Sequence, residues 1–233
     1  CRGTSCSGSI GMPQSNKTRL PSNEGMADRN NLPGVAAQTL MRLVVTAVVL
    51  IPSAVVFGER IVTWLLPLLG AVFEVIAGDF KLLRLAVDHE GADRVLRATV
   101  MWKHIVFIGG HVIYPDPRGT ANASTLLAHA LQGPLVAFLV TCAWPLSDST
   151  RHASWKELGI RMLALCPMLA ILICADVPAV LAGELWQLAL DALAPGSDSL
   201  LVHWKNFLQG GGRYALGLTG AVMAIQFAKR FSG

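Results

Sequence analysis

Charge is scarce in this sequence. Asp, Glu, Lys and Arg make up 15% of the 233 residues and 53% are hydrophobic, whereas an ordinary soluble domain carries about 25% charged residues. That composition argues against a water-solvated globule and for a chain whose solvent is partly lipid. The net charge is +4, but no basic stripe with interleaved aromatics exists, so nucleic acid is not an expected partner. The basic residues read instead as topology signals at an anionic membrane surface.

The motifs of cofactor and metal chemistry are missing as well. The five cysteines show no metal-ligand spacing, and Cys142, Cys166 and Cys174 lie inside apolar runs, where a free thiol acts as a small hydrophobe. No two histidines stand at i, i+4 and no Cys-x-x-Cys-His occurs, so His104, His111 and His129 read as satisfied polar residues. Gly210-Gly211-Gly212 lacks the Lys-Ser/Thr ending of a phosphate loop and reads as a flexible or close-packed helix start. No cofactor, metal or catalytic residue is expected. Asn16-Lys17-Thr18 and Asn122-Ala123-Ser124 match a glycosylation triplet that chance often produces. Cys1, where a Met would be ordinary, reads as an artefact of how the sequence was obtained in preference to a lipidated N-terminus.

What the chain has in quantity is apolar length. Between Trp155 and Leu193 the longest run contains Leu158–Ala182, enough to cross the roughly 30 Å of bilayer hydrocarbon at about 1.5 Å per residue. Gly183–Ala194 keeps helical spacing with Glu184 and Asp191 on one face, and is expected to leave the membrane or lie along it. Three further spans follow the same logic. They are 35–57, Ser124–Trp144 and Phe207–Phe227. Residues 58–80 are apolar at helical spacing but interrupted by Pro67, Glu74 and Asp79, and read as an amphipathic or re-entrant helix.

Between the first two spans the period changes. Leu96, Ala98, Val100 and Trp102 alternate with Arg97, Thr99, Met101 and Lys103, which is a strand pattern. Asp88–Asp93 supplies a hairpin turn, and Gly109-Gly110 a second turn or bulge. An open sheet cannot sit in hydrocarbon, because its edge groups would go unsatisfied. The expected fold class is therefore mainly α, a polytopic membrane protein of about four transmembrane helices with a small extramembrane β unit between the first and second spans. The expected divisions are 1–34 flexible tail, 35–57 transmembrane helix, 58–80 amphipathic or re-entrant helix, 81–122 periplasmic β unit and 123–233 three-helix transmembrane region. Lys17, Arg19, Arg29, Arg42, Arg151, Lys156, Arg161, Lys229 and Arg230 share one side under this topology. The positive-inside rule makes that side cytoplasmic, termini included.

Two features within the spans call for partners. Asp176 sits deep in its helix, where an ionised carboxylate costs about 2.5–3.5 kcal/mol. An ion pair with Arg213 of the last span would neutralise it, with Glu184 as the alternative partner of Arg213. Gly217, Gly220 and Ala224 form a small-residue face that permits close helix packing.

A family resemblance adds to this. Pro115-Asp116-Pro117 with Gly119, Ala123-Ser124-Thr125-Leu126-Leu127, Leu131-Gln132, Ala143-Trp144-Pro145 and Phe207-Leu208-Gln209-Gly210-Gly211-Gly212-Arg213 resemble segments of the small polytopic membrane proteins that accompany exosortases in bacterial protein sorting. The resemblance implies an accessory inner-membrane protein with a periplasmic portion. Exosortases themselves use Cys, Arg and His towards the outer face. The cysteines here are not placed for that, so no transpeptidase triad is carried over. The expected role is a non-enzymatic accessory or structural subunit of a bacterial inner-membrane assembly, with membrane lipid and a larger membrane protein complex as partners. The rival classes are a cofactor-bearing subunit of an electron-transfer complex and a small transporter working through Asp176.

Overall fold

A computed structural model describes residues 32–145 and 151–232. The expected tail, with Cys1, Cys6 and Asn16, lies almost wholly outside them. By contacts the chain divides into Cys1–Gln38 and Thr39–Gly233. Of the first unit only the opening residues of one helix are described. The second contains everything below.

The described chain is mainly helical with a small β component. Helix α1 runs unbroken through Leu32–Ile76, although it contains Pro52 and Pro67. This differs from the expected division at residue 57. Gly58-Glu59-Arg60 does not end the helix, which continues with Val62, Leu69 and Phe73 buried against the β unit. At about 1.5 Å per residue, the 40 residues of Ala37–Ile76 make a rod of about 60 Å, twice the hydrocarbon thickness.

Strands β1 (Phe80–Glu90) and β2 (Asp93–Trp102) form an antiparallel hairpin from Phe80↔Trp102 to Glu90↔Asp93, with a bulge between Leu82 and Arg84. The alternation read in the sequence has its physical cause here: Leu96, Ala98 and Val100 are buried, while Arg97 and Thr99 face outward. A second hairpin joins β3 (Val106–Ile108) to β4 (His111–Ile113). Its turn places Gly109 at φ 56°, and a Cβ there would lie 2.3 Å from the Leu193 carbonyl oxygen. Only glycine fits.

β5 (Ala121–Leu126) was not expected. It pairs with β2 from Val100↔Ala121 to Val95↔Leu126, giving the order β1-β2-β5. The stretch is short and rich in Ala and Ser, with weak strand propensity of its own. The free edge of β2 supplies the partner that recruits it. Helix α2 accordingly starts at Leu127 and ends at Ala143, three residues later than the expected span.

Helix α3 covers Arg151–Leu193, with Pro167 and Pro178 inside it. Its last third keeps the helical course expected of Gly183–Ala194. It packs on the sheet, with Val177, Leu181 and Leu185 joining Leu69 and Phe73 of α1 and Leu96, Ala98 and Val100 of β2 in one core. Phe80, Trp102 and Trp186 seal the far end of that core, with ring centroids 4.5, 5.8 and 6.1 Å apart. A second core of Ala137, Leu165, Leu172, Ala221 and Ala224 holds α2, α3 and the last helix together.

After α4 (Leu200–Phe207) a wide π-type turn occupies Leu208–Gly212, and α5 runs Arg213–Ser232. The expected last span therefore starts six residues late. The interruption is set by Gly211 at φ 113°, a conformation side chains rarely adopt.

Two helices, Ala37–Ile76 and Lys156–Leu193, are long and apolar enough to cross a membrane, and Leu127–Ala143 is a shorter apolar helix.

Candidate functional site

Arg213 opens α5 just past the glycine break, and its side chain reaches back across α3. Nε donates to Asp176 Oδ1 at 2.9 Å, and both side chains are about 5% exposed. Nε is the only Arg213 side-chain nitrogen bonded among the described residues. Nη1 and Nη2 are not among the buried unpartnered atoms, so they keep solvent access, whereas Asp176 Oδ2 is buried and unpartnered. The pair is thus one-point and leaves capacity on both partners.

Beside it lies a cavity of about 470 Å³, lined by His129, Gln132, Gln209, Gly210, Arg213 and Tyr214 among others. The two α2 residues stand three apart and so share a helix face. The remaining walls come from the π-type turn and the first turn of α5. No carboxylate lines this cavity.

A polar ladder extends from the pair along the α3–α4 contact. Glu184 accepts from Gln209 Nε2 at 3.1 Å and pairs with Lys205 Nζ at 3.2 Å, and the buried Lys205 ammonium also donates to Gln187. Glu184 therefore partners Lys205, and Arg213 goes to Asp176. Lys205 and Gln209 were not singled out in the sequence. Their signal was slight: two polar residues four apart, facing a helix that carries Glu184 and Gln187.

The small-residue face lies within the chain. A Cβ on Gly217 would lie 2.5 Å from the Gly133 oxygen, one on Gly220 would lie 3.1 Å from Leu172 Cδ1, and Ala224 is buried. α2 and α3 of the same chain occupy it, so the close helix packing it permits is made within the chain.

At the opposite end of α3 is a second buried pair. Arg161 has no exposed surface; it donates to Glu157 one turn back and to the carbonyls of Trp144 and Pro145, both at 3.1 Å. Arg161 had been read only as a topology charge. Its spacing of four from Glu157 in an apolar run was the missed signal.

The histidines are dispersed. His104 Nε2 lies 2.9 Å from Asp79 Oδ1, His111 is in the exposed β4 turn, and His129 is in the cavity wall. Among the described residues no group of three His, Cys, Asp or Glu could hold a metal. Cys166 faces an apolar cleft of about 550 Å³ between α1, α2 and α3, which Leu50, Phe57, Leu131, Phe138 and Ile173 also line.

Comparison with known proteins finds no matching family model, no matching curated protein and no matching solved structure.

Proposed function

We propose that the chain is a non-enzymatic accessory subunit of a bacterial inner-membrane assembly, multi-pass, with cytoplasmic termini and a periplasmic β tier. Four helical stretches support the membrane placement. Residues 43–58 of α1, 130–143 of α2, 162–175 of α3 and 214–228 of α5 contain no Asp, Glu, Lys, Arg or His. Each is bounded on one side by Arg42, the Arg161–Glu157 pair or Lys229-Arg230, and on the other by Glu59, His129, Asp176 or Arg213. The separations between those bounds correspond to about 22–26 Å at 1.5 Å per residue, near the thickness of a hydrocarbon layer. The first boundary is predominantly basic, which favours the cytoplasm.

The observation that carries the subunit role lies beyond the second boundary. There α1 continues past Glu59, which pairs with Arg94 of β2 at 2.9 Å. Its Ile61, Trp64, Leu68, Ala71 and Val75 are exposed, Trp64 to 81% and Val75 to 83%. They recur at i, i+3, i+7, i+10 and i+14, one continuous face opposite the buried Val62, Leu69 and Phe73. An apolar stripe standing clear of the lipid layer needs a protein to cover it. The resemblance to exosortase-associated proteins supplies a process, protein sorting, for such a partner.

Mild-detergent purification from the native membrane, with mass spectrometry of what co-migrates, tests the reading. Stoichiometric recovery with a larger assembly, lost on Trp64→Glu while the chain itself still accumulates, is the expected result. Recovery of the wild-type chain alone from a gently solubilised membrane would refute the subunit role.

A further inference from the structure

We propose that the cavity beside the Asp176–Arg213 pair binds an oxyanion, the phosphate of a membrane phospholipid. The proposal rests on the membrane placement above. Its chemistry follows from what lines the site. Arg213 is held by Asp176 through Nε alone, which fixes the guanidinium plane and leaves Nη1 and Nη2 unbonded among the described residues. Two parallel N–H donors on a fixed plane match the oxygens of a phosphate. Tyr214, His129 and Gln132, residues whose side chains can donate, line the same cavity, and no carboxylate lines it to oppose an anion. The 20-residue helix α5 begins at this wall and adds the partial positive charge of its N-terminus.

Asp176 offsets the formal charge of Arg213, so the site selects by directed hydrogen bonds more than by net charge. A cation would find acceptors here but no exposed anion.

Depth and neighbourhood favour a lipid over a free phosphate. The cavity lies at the outer polar boundary, where headgroup phosphates reside. Gln132 also lines a second groove, of about 580 Å³, whose walls combine Ile51, Val55, Leu127, Leu131 and Leu135 with Asp93 and Arg94. One residue thus borders both a polar space with room for a headgroup phosphate and a mainly apolar groove that could take an acyl chain.

Binding is measured on the full chain in mild detergent, with dioctanoyl phosphatidylglycerol, dioctanoylglycerol and inorganic phosphate as probes. Two variants report on the site. Gly210→Leu adds bulk at the cavity wall: its φ is not left-handed, and a Cβ there meets nothing within 4 Å. Asp176→Asn with Arg213→Gln removes the fork without stranding a buried charge. Saturable binding of the phosphatidylglycerol, at least tenfold weaker in both variants and absent for dioctanoylglycerol, is expected. Phosphate binding that is lost in both variants, with no binding of the phosphatidylglycerol, overturns the lipid as the source and leaves a free-phosphate site. Equal binding of dioctanoylglycerol, or an unchanged affinity in Gly210→Leu, overturns the proposal. Alkaline extraction of the wild-type membrane judges the membrane placement separately, because the phosphate titration reads the site without any bilayer.

Discussion

The two buried ion pairs of α3 are made of the same chemistry and built in opposite ways. Arg161–Glu157 lies within one helix, one turn apart, and Arg161 also donates to the carbonyls that end α2, from Nη1 to Trp144 and from Nη2, which it shares with Glu157, to Pro145. Arg213–Asp176 joins two helices across 37 residues of sequence by one hydrogen bond and borders a cavity. The first pair is a knot that ties α3 to the end of α2 and leaves only Arg161 Nε buried without a partner among the described residues. The second is an open clasp with donors to spare. A buried pair is weak evidence for stability, since desolvation offsets much of its attraction. What differs between these two is what each arginine does besides neutralise an acid.

Breaking either pair by removing its cation should give the largest effects. Arg161→Met and Arg213→Met are each expected to destabilise the protein by about 3–5 kcal/mol, because a buried carboxylate loses its counterion. Arg161→Met should be the worse, since the Trp144 and Pro145 carbonyls lose their donors too. Unfolding of both variants in one detergent, at one temperature, measures the order. If Arg213→Met proves the more damaging, the clasp is the stronger structural element and the contrast fails.

Removing both partners separates the two designs more sharply. Asp176→Leu with Arg213→Met should return to within about 1 kcal/mol of the parent protein, as apolar replacements of a buried pair often do. Glu157→Leu with Arg161→Met should stay about 2 kcal/mol below it, because the part-buried Trp144 and Pro145 carbonyls lose their donor. The same unfolding measurement checks both. Equal recovery would mean that water reaches the Trp144 and Pro145 carbonyls and replaces Arg161 there.

Much of this contrast could be read from the chain, and the limits have physical causes. The cost of a deep acid singled out Asp176, and the scarcity of other charges in the spans left few partners besides Arg213. Period-two spacing marked β1 and β2, and the scarcity of charge marked the long helices. β5 escaped because Ala121–Leu126 has almost no propensity of its own and exists through the edge of β2. The unbroken α1 escaped because Glu59 and Arg60 imitate an exit, while the partner that holds Glu59 in place, Arg94, is 35 residues away on a strand. The cavity escaped as well. It needs α2, the π-type turn and α5 brought together, and no spacing within one segment encodes that.

Glycines flanking the two pairs test the same contrast with smaller steps. Gly217 packs α5 onto α2 one turn beyond Arg213, and a Cβ there would come within 2.5 Å of the Gly133 oxygen, a backbone atom that cannot rotate away. Gly217→Ala should therefore push α5 outward, cost about 1–3 kcal/mol, and loosen the clasp, since a Cβ on Gly133 would in turn lie only 3.2 Å from the Arg213 carbonyl oxygen.

Gly159 sits between Glu157 and Arg161, on the same turn as the knot, exposed, with nothing within 4 Å of its would-be Cβ. Here the same substitution should stabilise. An exposed helix-interior glycine replaced by alanine gains about 0.5–1 kcal/mol from reduced freedom of the unfolded chain. That gain should fall on the turn that holds the knot, leaving oxyanion binding at the clasp unchanged. Thermal unfolding of Gly159→Ala, read beside its phosphatidylglycerol affinity, checks both parts. A rise in stability with altered binding would show that the two ends of α3 are coupled through the helix, and the knot could no longer be treated as a local device.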